Sequence, residues 1–264
     1  MLLVLQPLFS GLISGRFLVL VACALLGACA STQSESEALG AGAVDVPDSD
    51  PFEAFNRDMY AFNVDFDKAI GKPVAKAYVK AIPAPVRRSV TNFYYNLWEP
   101  SSIINALLQG KVHKAASSSA RFFINSTVGI LGLFDVAARL DVPRQEEDLG
   151  QTLAVWGVKD GPYLMLPFLG PSNLRDATTL GVEWVTTDMV PILFSGTERW
   201  VIGGLRLVDG RTSVLGLEEA LEFQVDPYVF LRESYRQSRL VQIHDGALPP
   251  DTEEDPFEDA LFDE

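Results

Sequence analysis

The 264-residue sequence is poor in the residues that most catalytic and metal sites use. It has two cysteines and two histidines, His113 and His244, which excludes a disulfide framework and a histidine-rich metal site. It also lacks a Gly-x-Ser-x-Gly motif and a P-loop. His113 lies among lysines and His244 precedes an acidic segment, positions that favour surface roles. The acidic cluster 146–148 is interpreted as a helix cap or a solvated face rather than an acid/base pair. The sequence therefore predicts a protein that is not an enzyme and that needs no metal or cofactor.

Basic residues are also few, with 21 Lys and Arg against 35 Asp and Glu, a formal net charge of −14. Nucleic-acid binders normally cluster Lys and Arg for phosphate contacts, so no nucleic-acid partner is expected. Much of the acidity is peripheral, because residues 245–264 hold nine acidic residues and no Lys or Arg. We predict that residues 245–264 form a disordered, solvated tail.

No apolar run is long enough to predict a spanning helix with confidence, and the N-terminal run resembles a secretion signal. Arg16 is followed by the apolar residues 17–26 and by Gly27-Ala28-Cys29. The order Leu-small-small-Cys resembles the lipobox of bacterial lipoproteins, which predicts a signal peptide over 1–28 and an acylated Cys29. An ordinary signal with a chance cysteine is the alternative. Ala30, rather than Asp, after the cysteine favours the outer membrane.

Residues 29–49 are rich in Ser, Ala and Gly and have no aromatic residue, which predicts a flexible tether. A helical domain is predicted for residues 50–244. It opens with Asp50-Pro51 and an apolar face from Phe52 to Ile70 at steps of three and four, ending at Gly71 and Pro73. Further helices are predicted at 100–110, 111–125, 172–188, 197–209 and 226–241. We find no sustained alternation of period two, so the predicted fold class is all-α.

Three uncharged stretches interrupt the soluble pattern, at residues 122–134, 161–173 and 189–196. Each is shorter than a spanning helix requires and contains Gly or Pro. They are interpreted either as buried core or as parts of a body embedded in lipid, and together with an acylated N-terminus they favour embedding. Gly129 and Gly132 within the first stretch are interpreted either as a hinge or as sites of close helix packing.

Arg232, Arg236 and Arg239 recur at helical spacing near the C-terminal end of the predicted domain. A solvated face balanced by Glu233 is the preferred interpretation. The functional alternative is contact with lipid phosphate or an acidic partner, since the guanidinium group suits phosphate oxygens.

Four long blocks in order resemble the MlaA/VacJ family of outer-membrane lipoproteins. They are DPFEAFNRDMYAFN at 50–63, RFFINSTVGILGLFDV at 121–136, the segment 147–176, and DPYVFLRESYR at 226–236. The resemblance implies an all-α, ring-like single domain of short helices, embedded in the outer membrane, with a central amphipathic channel. The N-terminal tether and the acidic tail depart from the family pattern, so no role is transferred to them.

The resemblance also implies a function without covalent chemistry. Mislocalised phospholipid would leave the outer leaflet through the channel and pass to a soluble periplasmic lipid carrier, with a trimeric porin holding the ring. A hinge at Gly129 and Gly132 would then control lipid flux. Two alternatives remain: a structural lipoprotein that scaffolds outer-membrane proteins without moving lipid, and a lipid-degrading enzyme.

Overall fold

A computed structural model describes residues 50–216, 221 and 223–246 of the chain. The predicted signal peptide, Cys29 and the predicted tether lie outside these described residues, as does residue 247 onward of the predicted acidic tail.

The described part of the chain is mostly helical, as the sequence predicts. The α-helices are α1 (Glu53–Phe66), α2 (Lys72–Ala81), α3 (Ala84–Leu108), α4 (Val112–Thr127), α5 (Leu149–Val155), α6 (Leu174–Thr186), α7 (Met189–Leu193), α8 (Gly196–Ser213) and α9 (Pro227–Ile243). A π-helical segment spans Asp67–Gly71, and a 3-10 helix spans Ala137–Leu140. Two strands, β1 (Tyr163–Leu166) and β2 (Gly170–Asn173), complete the described elements.

The helix predicted to end at Gly71 and Pro73 instead continues to Ala81, so that prediction is wrong. The π-helical segment Asp67–Gly71 joins α1 to α2, and the Lys72 amide donates to the carbonyl of Asp67, five residues back. Pro73 falls in the first turn of α2, where a missing amide N–H costs little. A Cβ on Gly71 would lie 2.4 Å from Oδ1 of Asp67, so a larger residue there would require the Asp67 side chain to shift.

Pro100 does not begin a short helix, contrary to the prediction. It lies inside the 25-residue helix α3, where proline removes one backbone hydrogen bond. The residues around it are firmly held, since Glu99, Ser101 and Ser102 are all buried. Tertiary packing therefore outweighs the local preference of proline for a helix start.

The all-α prediction is corrected by one antiparallel hairpin, in which Tyr163 pairs with Asn173 and Leu166 with Gly170. Two asparagines of α1 hold β1 and the turn that follows it. Asn56 donates to the Tyr163 carbonyl and accepts from the Met165 amide. Asn63 donates to the Leu166 carbonyl and accepts from the Phe168 amide. The strands are four residues long, too short for a period-two pattern to reveal them.

Several helix starts agree with the sequence because a capping side chain marks them. The Asp226 carboxylate accepts from the amides of Tyr228 and Val229 at the start of α9. Asp148 accepts from the Gln151 amide at α5, and Asn173 from the Asp176 amide at α6. Such caps satisfy backbone N–H groups that have no partner inside the helix.

Buried apolar side chains form two small clusters. One joins Tyr94 and Leu97 of α3 to Val190 of α7, and the other joins Tyr163 and Met165 of β1 to Tyr228 of α9. Across the described residues, no helix combines the length and the apolar character needed to cross a membrane.

Candidate functional site

Outside its two small apolar clusters, the described domain buries mainly polar side chains and exposes many large apolar ones. Helix α4 shows this within a single turn, since Arg121 is 2% exposed while Phe123 is 66% exposed. On α1, Asn56 is fully buried and Phe55 is half exposed. Soluble proteins scatter exposed apolar residues singly, whereas a contiguous apolar surface marks a binding or membrane-contact site.

The exposed apolar side chains come from most of the described elements. They include Phe52, Phe62, Ile70, Leu107, Val112, Val128, Ile130, Leu131, Phe168, Leu169, Val185, Trp200 and Val201. The face from Phe52 to Ile70, predicted from its spacing, is therefore largely an exterior face. All three uncharged stretches likewise place apolar side chains outside, at Ile130 and Leu131, at Phe168 and Leu169, and at Ile192 and Leu193. These side chains are not the buried core that one interpretation required.

The interior is built around a fully paired arginine. Nε of Arg121 donates to Oε1 of Glu99 at 2.8 Å, Nη2 to Oδ2 of Asp135 at 2.8 Å, and Nη1 to the Val142 carbonyl at 2.8 Å. Asn125, one turn along α4, donates to the other Asp135 oxygen. This network joins α3, α4 and the chain after α4 through charge-assisted hydrogen bonds.

The two carboxylates bound to Arg121 respond differently to burial. Burial raises the pKa of Glu99, and the hydrogen bond from Arg121 offsets this only in part. Burial also opposes ionisation of Asp135, but there the bonds from Arg121, the Ala138 amide and Asn125 prevail and lower its pKa. The difference follows from the deeper burial of Glu99 and from the larger number of donors to Asp135.

A second polar network links α3, α5 and α6 at Glu183. Oε1 of Glu183 accepts from the Leu149 amide at 2.8 Å and from Asn105 at 3.3 Å, and Thr152 donates to Asn105 at 2.9 Å. Burial, with the nearby charge of Asp148, raises the pKa of Glu183 to about 7. The carboxyl group therefore titrates near neutral pH.

An amphipathic pocket of about 290 Å³ opens between α3 and α8, beside the chain that leads into α5. Its lining is Thr91, Tyr94, Tyr95, Trp98, Glu146, Arg206, Asp209, Gly210, Thr212 and Ser213. The Arg206 guanidinium lies 5.3 Å from the centre of the Trp98 ring and bonds to Asp188 at 2.8 Å. The pocket thus combines aromatic surface with charges of both signs.

The three arginines that the sequence singled out on α9 lie beside carboxylates of this chain. Arg239 makes a two-pronged bond to Asp148 at 2.6 and 2.7 Å, and its Nε lies 2.7 Å from Asp176. Arg232 donates to Glu233 at 2.7 Å, and Arg236 lies 3.7 Å from the same carboxylate. Carboxylates of the protein therefore lie beside these guanidinium groups, for which contact with lipid phosphate was the alternative interpretation.

Gly129 and Gly132 are both in close contact with neighbouring atoms. A Cβ on Gly129 would lie 2.3 Å from the Phe134 carbonyl, and one on Gly132 would lie 2.4 Å from Cβ of Asn96. Gly132 also has φ of +88°, following Ile130 and Leu131 at +53° and +55°. These contacts give the packing interpretation a concrete basis, and the hinge stays a prediction.

Sequence reasoning missed the buried charged residues, Arg121 and Glu183 above all. A signal for Arg121 was available, because Ser117, Arg121 and Asn125 recur every four residues and form a polar stripe on one face of α4. Nothing comparable marks Glu183, whose partners come from helices more than thirty residues away in sequence. Within the described residues, no group of three or more metal-ligating side chains occurs.

An apolar exterior and a largely polar interior define a helical protein whose surface suits an apolar environment. The sequence profile of the family described as "MlaA lipoprotein" matches residues 48–242. The chain therefore belongs to the MlaA lipoprotein family, which confirms the family predicted from its four sequence blocks.

Similar proteins carry the name of the same family. The "Intermembrane phospholipid transport system lipoprotein MlaA" of Escherichia coli (strain K12) is 33% identical over 251 residues, covering 91% of this chain and 92% of the relative. The protein of that name from Haemophilus influenzae is 32% identical, covering 76% and 81%. A solved structure described under "Structural basis for maintenance of bacterial outer membrane lipid asymmetry" matches with a TM-score of 0.67 and 32% identity, covering 76% of this chain and all of that one.

Proposed function

We propose that this chain is an outer-membrane lipoprotein that moves phospholipid between the membranes of the cell envelope. Mislocalised phospholipid would leave the outer leaflet through a passage in the embedded domain and reach a soluble periplasmic carrier. The relatives at about one-third identity carry names that refer to intermembrane phospholipid transport. In this proposal Cys29 carries the acyl anchor, on the periplasmic side of the membrane.

The observation that carries the proposal is the exterior of the domain. Side chains such as Phe123 and Leu131 expose about two-thirds of their surface, which is unfavourable in water and favourable against acyl chains. Lipid offers no hydrogen-bond partners, so polar groups of an embedded body must be satisfied internally. The bonds of the Arg121 guanidinium and of Oε1 of Glu183 meet this requirement for those two groups.

A lipid passage also needs somewhere for a polar head group and somewhere for apolar tails. The pocket lined by Trp98 and Arg206 joins both kinds of surface. We infer that it belongs to the central channel of a ring-like domain, and that a trimeric porin holds this domain in the membrane. Transport of this kind breaks no covalent bond, so the proposal is of a carrier step without catalysis.

Deleting the protein tests the proposal in cells. We expect more phospholipid in the outer leaflet and a weaker permeability barrier, both restored by the wild-type gene but not by a Cys29→Ala variant. Outer-leaflet phospholipid can be measured by labelling of intact cells. Unchanged leaflet composition would contradict the proposal, and porin binding without lipid transfer in reconstituted membranes would favour the scaffold function.

A further inference from the structure

The pocket between α3 and α8 carries charges in an arrangement that a transport passage alone does not require. Three of its lining residues have charged side chains, namely Arg206, Glu146 and Asp209. The lining therefore presents one cation and two anions. A passage that only had to wet a head group could be lined by neutral hydroxyl and amide groups.

The two anions are held differently. Asp209 is buried, and its carboxylate accepts from Thr91 at 2.6 Å and from Tyr78 at 3.2 Å, so it is fixed in position. The Glu146 side chain is exposed; its residue is anchored through the backbone carbonyl, which accepts from Gln151 at 2.9 Å. Glu146 thus offers an accessible carboxylate at the edge of the pocket.

The cation is positioned rather than mobile. Arg206 is held by Asp188 at 2.8 Å through Nη1 and by the face of Trp98, yet about a third of its side chain stays exposed. A guanidinium presents donors in a fixed fork that suits phosphate oxygens. A second arginine, Arg144, is not itself a lining residue; it stacks on the ring of the lining residue Tyr95 at 3.5 Å and bonds to Asp135 at 3.3 Å.

We propose that this pocket recognises a zwitterionic head group, with phosphate at Arg206 and ammonium at Glu146, and that it disfavours phospholipids of net negative charge. The inference rests on the proposed function and narrows its substrate class. A phosphate with its ammonium adds no net charge to a lining that is already negative by one. An anionic head group adds a second negative charge and leaves Glu146 without a counter-ion. Like charges in a partly desolvated site repel each other.

The test measures lipid retained by the full lipidated chain purified in detergent, with radiolabelled phosphatidylethanolamine or phosphatidylglycerol offered separately at equal concentration. For the wild type we expect about fivefold more phosphatidylethanolamine, the size of effect that one exposed ion pair gives. Glu146→Gln should reduce this ratio to near one, mainly by binding more phosphatidylglycerol. Glu146 is exposed, so the variant is expected to fold.

Asp58→Asn is the matched control. Asp58 is exposed on α1 and lies outside the pocket, so this variant loses one negative charge and should keep the wild-type ratio. An equal fall in the ratio for both variants would overturn the proposal, because net charge alone would then explain it. Arg206→Lys keeps the charge and loses the fork, and should weaken retention of both lipids about threefold.

Soluble glycerophosphoethanolamine separates the lipid from its free head group. We expect it to displace bound phosphatidylethanolamine only at much higher concentration, because it lacks the apolar tails; equal potency would overturn the assignment to a lipid. A wild type that retains both lipids equally would refute the inference while leaving transport standing. A wild type that retains neither lipid would contradict the proposed function itself.

Discussion

The inner and outer faces of helix α4 differ in polarity, and in the sense opposite to that of a helix on the surface of a water-soluble protein. The inner face carries Ser118, Arg121 and Asn125, all buried, and the outer face carries Val112 and Phe123, both mostly exposed. In a water-soluble protein the apolar face would be the buried one. This reversal is what the proposed embedding in lipid requires of a helix at the domain surface.

The energetic reason is the cost of an unpaired polar group. A buried charge without a partner is expensive in any medium of low dielectric constant, but a paired and hydrogen-bonded one is tolerated. Arg121 therefore has three acceptors, and Glu183 has backbone and side-chain donors. The apolar side chains of the outer face carry no such requirement.

Removing the central cation should have the largest effect. Arg121→Met leaves Glu99 and Asp135 without their shared partner, and we expect a loss of about 3–5 kcal/mol in the free energy of unfolding. Denaturant unfolding in detergent micelles measures it. Adding Glu99→Gln should recover part of the loss, because it removes one of the unpaired charges. A loss below about 1 kcal/mol would show that the network does not hold the inner face together.

The pH dependence of unfolding should reveal the second network. Because the pKa of Glu183 is raised to about 7 in the folded state, the folded chain binds more protons than the unfolded chain at pH values between the ordinary pKa of a glutamate and 7. Stability should therefore fall as pH rises through this window, by on the order of 3 kcal/mol from Glu183 alone. Glu183→Gln should remove this fall and be the more stable protein at pH 8.

Asp58→Asn again serves as the control, since Asp58 is exposed and its removal should leave the pH profile parallel to that of the wild type. Unfolding curves at pH 5, 6, 7 and 8 give the comparison. If the profile of Glu183→Gln is as steep as that of the wild type, the titrating group of the interior lies elsewhere.

The outer face should tolerate an apolar replacement with the smallest effect. Phe123→Leu changes an exposed side chain two residues from Arg121 but keeps it apolar, and we expect the free energy of unfolding in detergent to change by about 0.5 kcal/mol or less. A fluorophore on Phe123→Cys should be quenched by brominated acyl chains in vesicles. A large loss of stability would mean that Phe123 packs against protein, and an absence of quenching would mean that it faces protein or water.

Local sequence signals predicted the helices well where caps and spacing were unambiguous. The start of α9 at Asp226 and the capping role of Asp148 could be predicted because one side chain and the next few backbone amides decide them. The predictions at Pro100 and Gly71 were wrong, because both residues usually end or interrupt a helix. Buried neighbours keep α3 helical through Pro100, and a π-helical segment continues the helix through Gly71. The hairpin was missed because asparagines of a distant helix hold it.

At the candidate site, the structure describes the surroundings of every glycine and arginine that the sequence singled out. The residues that hold the interior together, however, were not predicted. The polar stripe of α4 was visible in the sequence, yet spacing alone does not say which face of a helix is buried. Arg239 illustrates the limit: its spacing on α9 was predicted, whereas its two-pronged bond to Asp148 joins residues 91 positions apart.

The sequence alone determined the helical content, the domain start near Asp50, the family and the uncharged stretches, because each depends on the order of neighbouring residues. Tertiary structure alone decided which face points inward, which charges meet, and that Glu146, Arg206 and Asp209 line one pocket. Hydrogen bonds and ion pairs act over a few ångströms in space, and the chain brings such partners together only by folding.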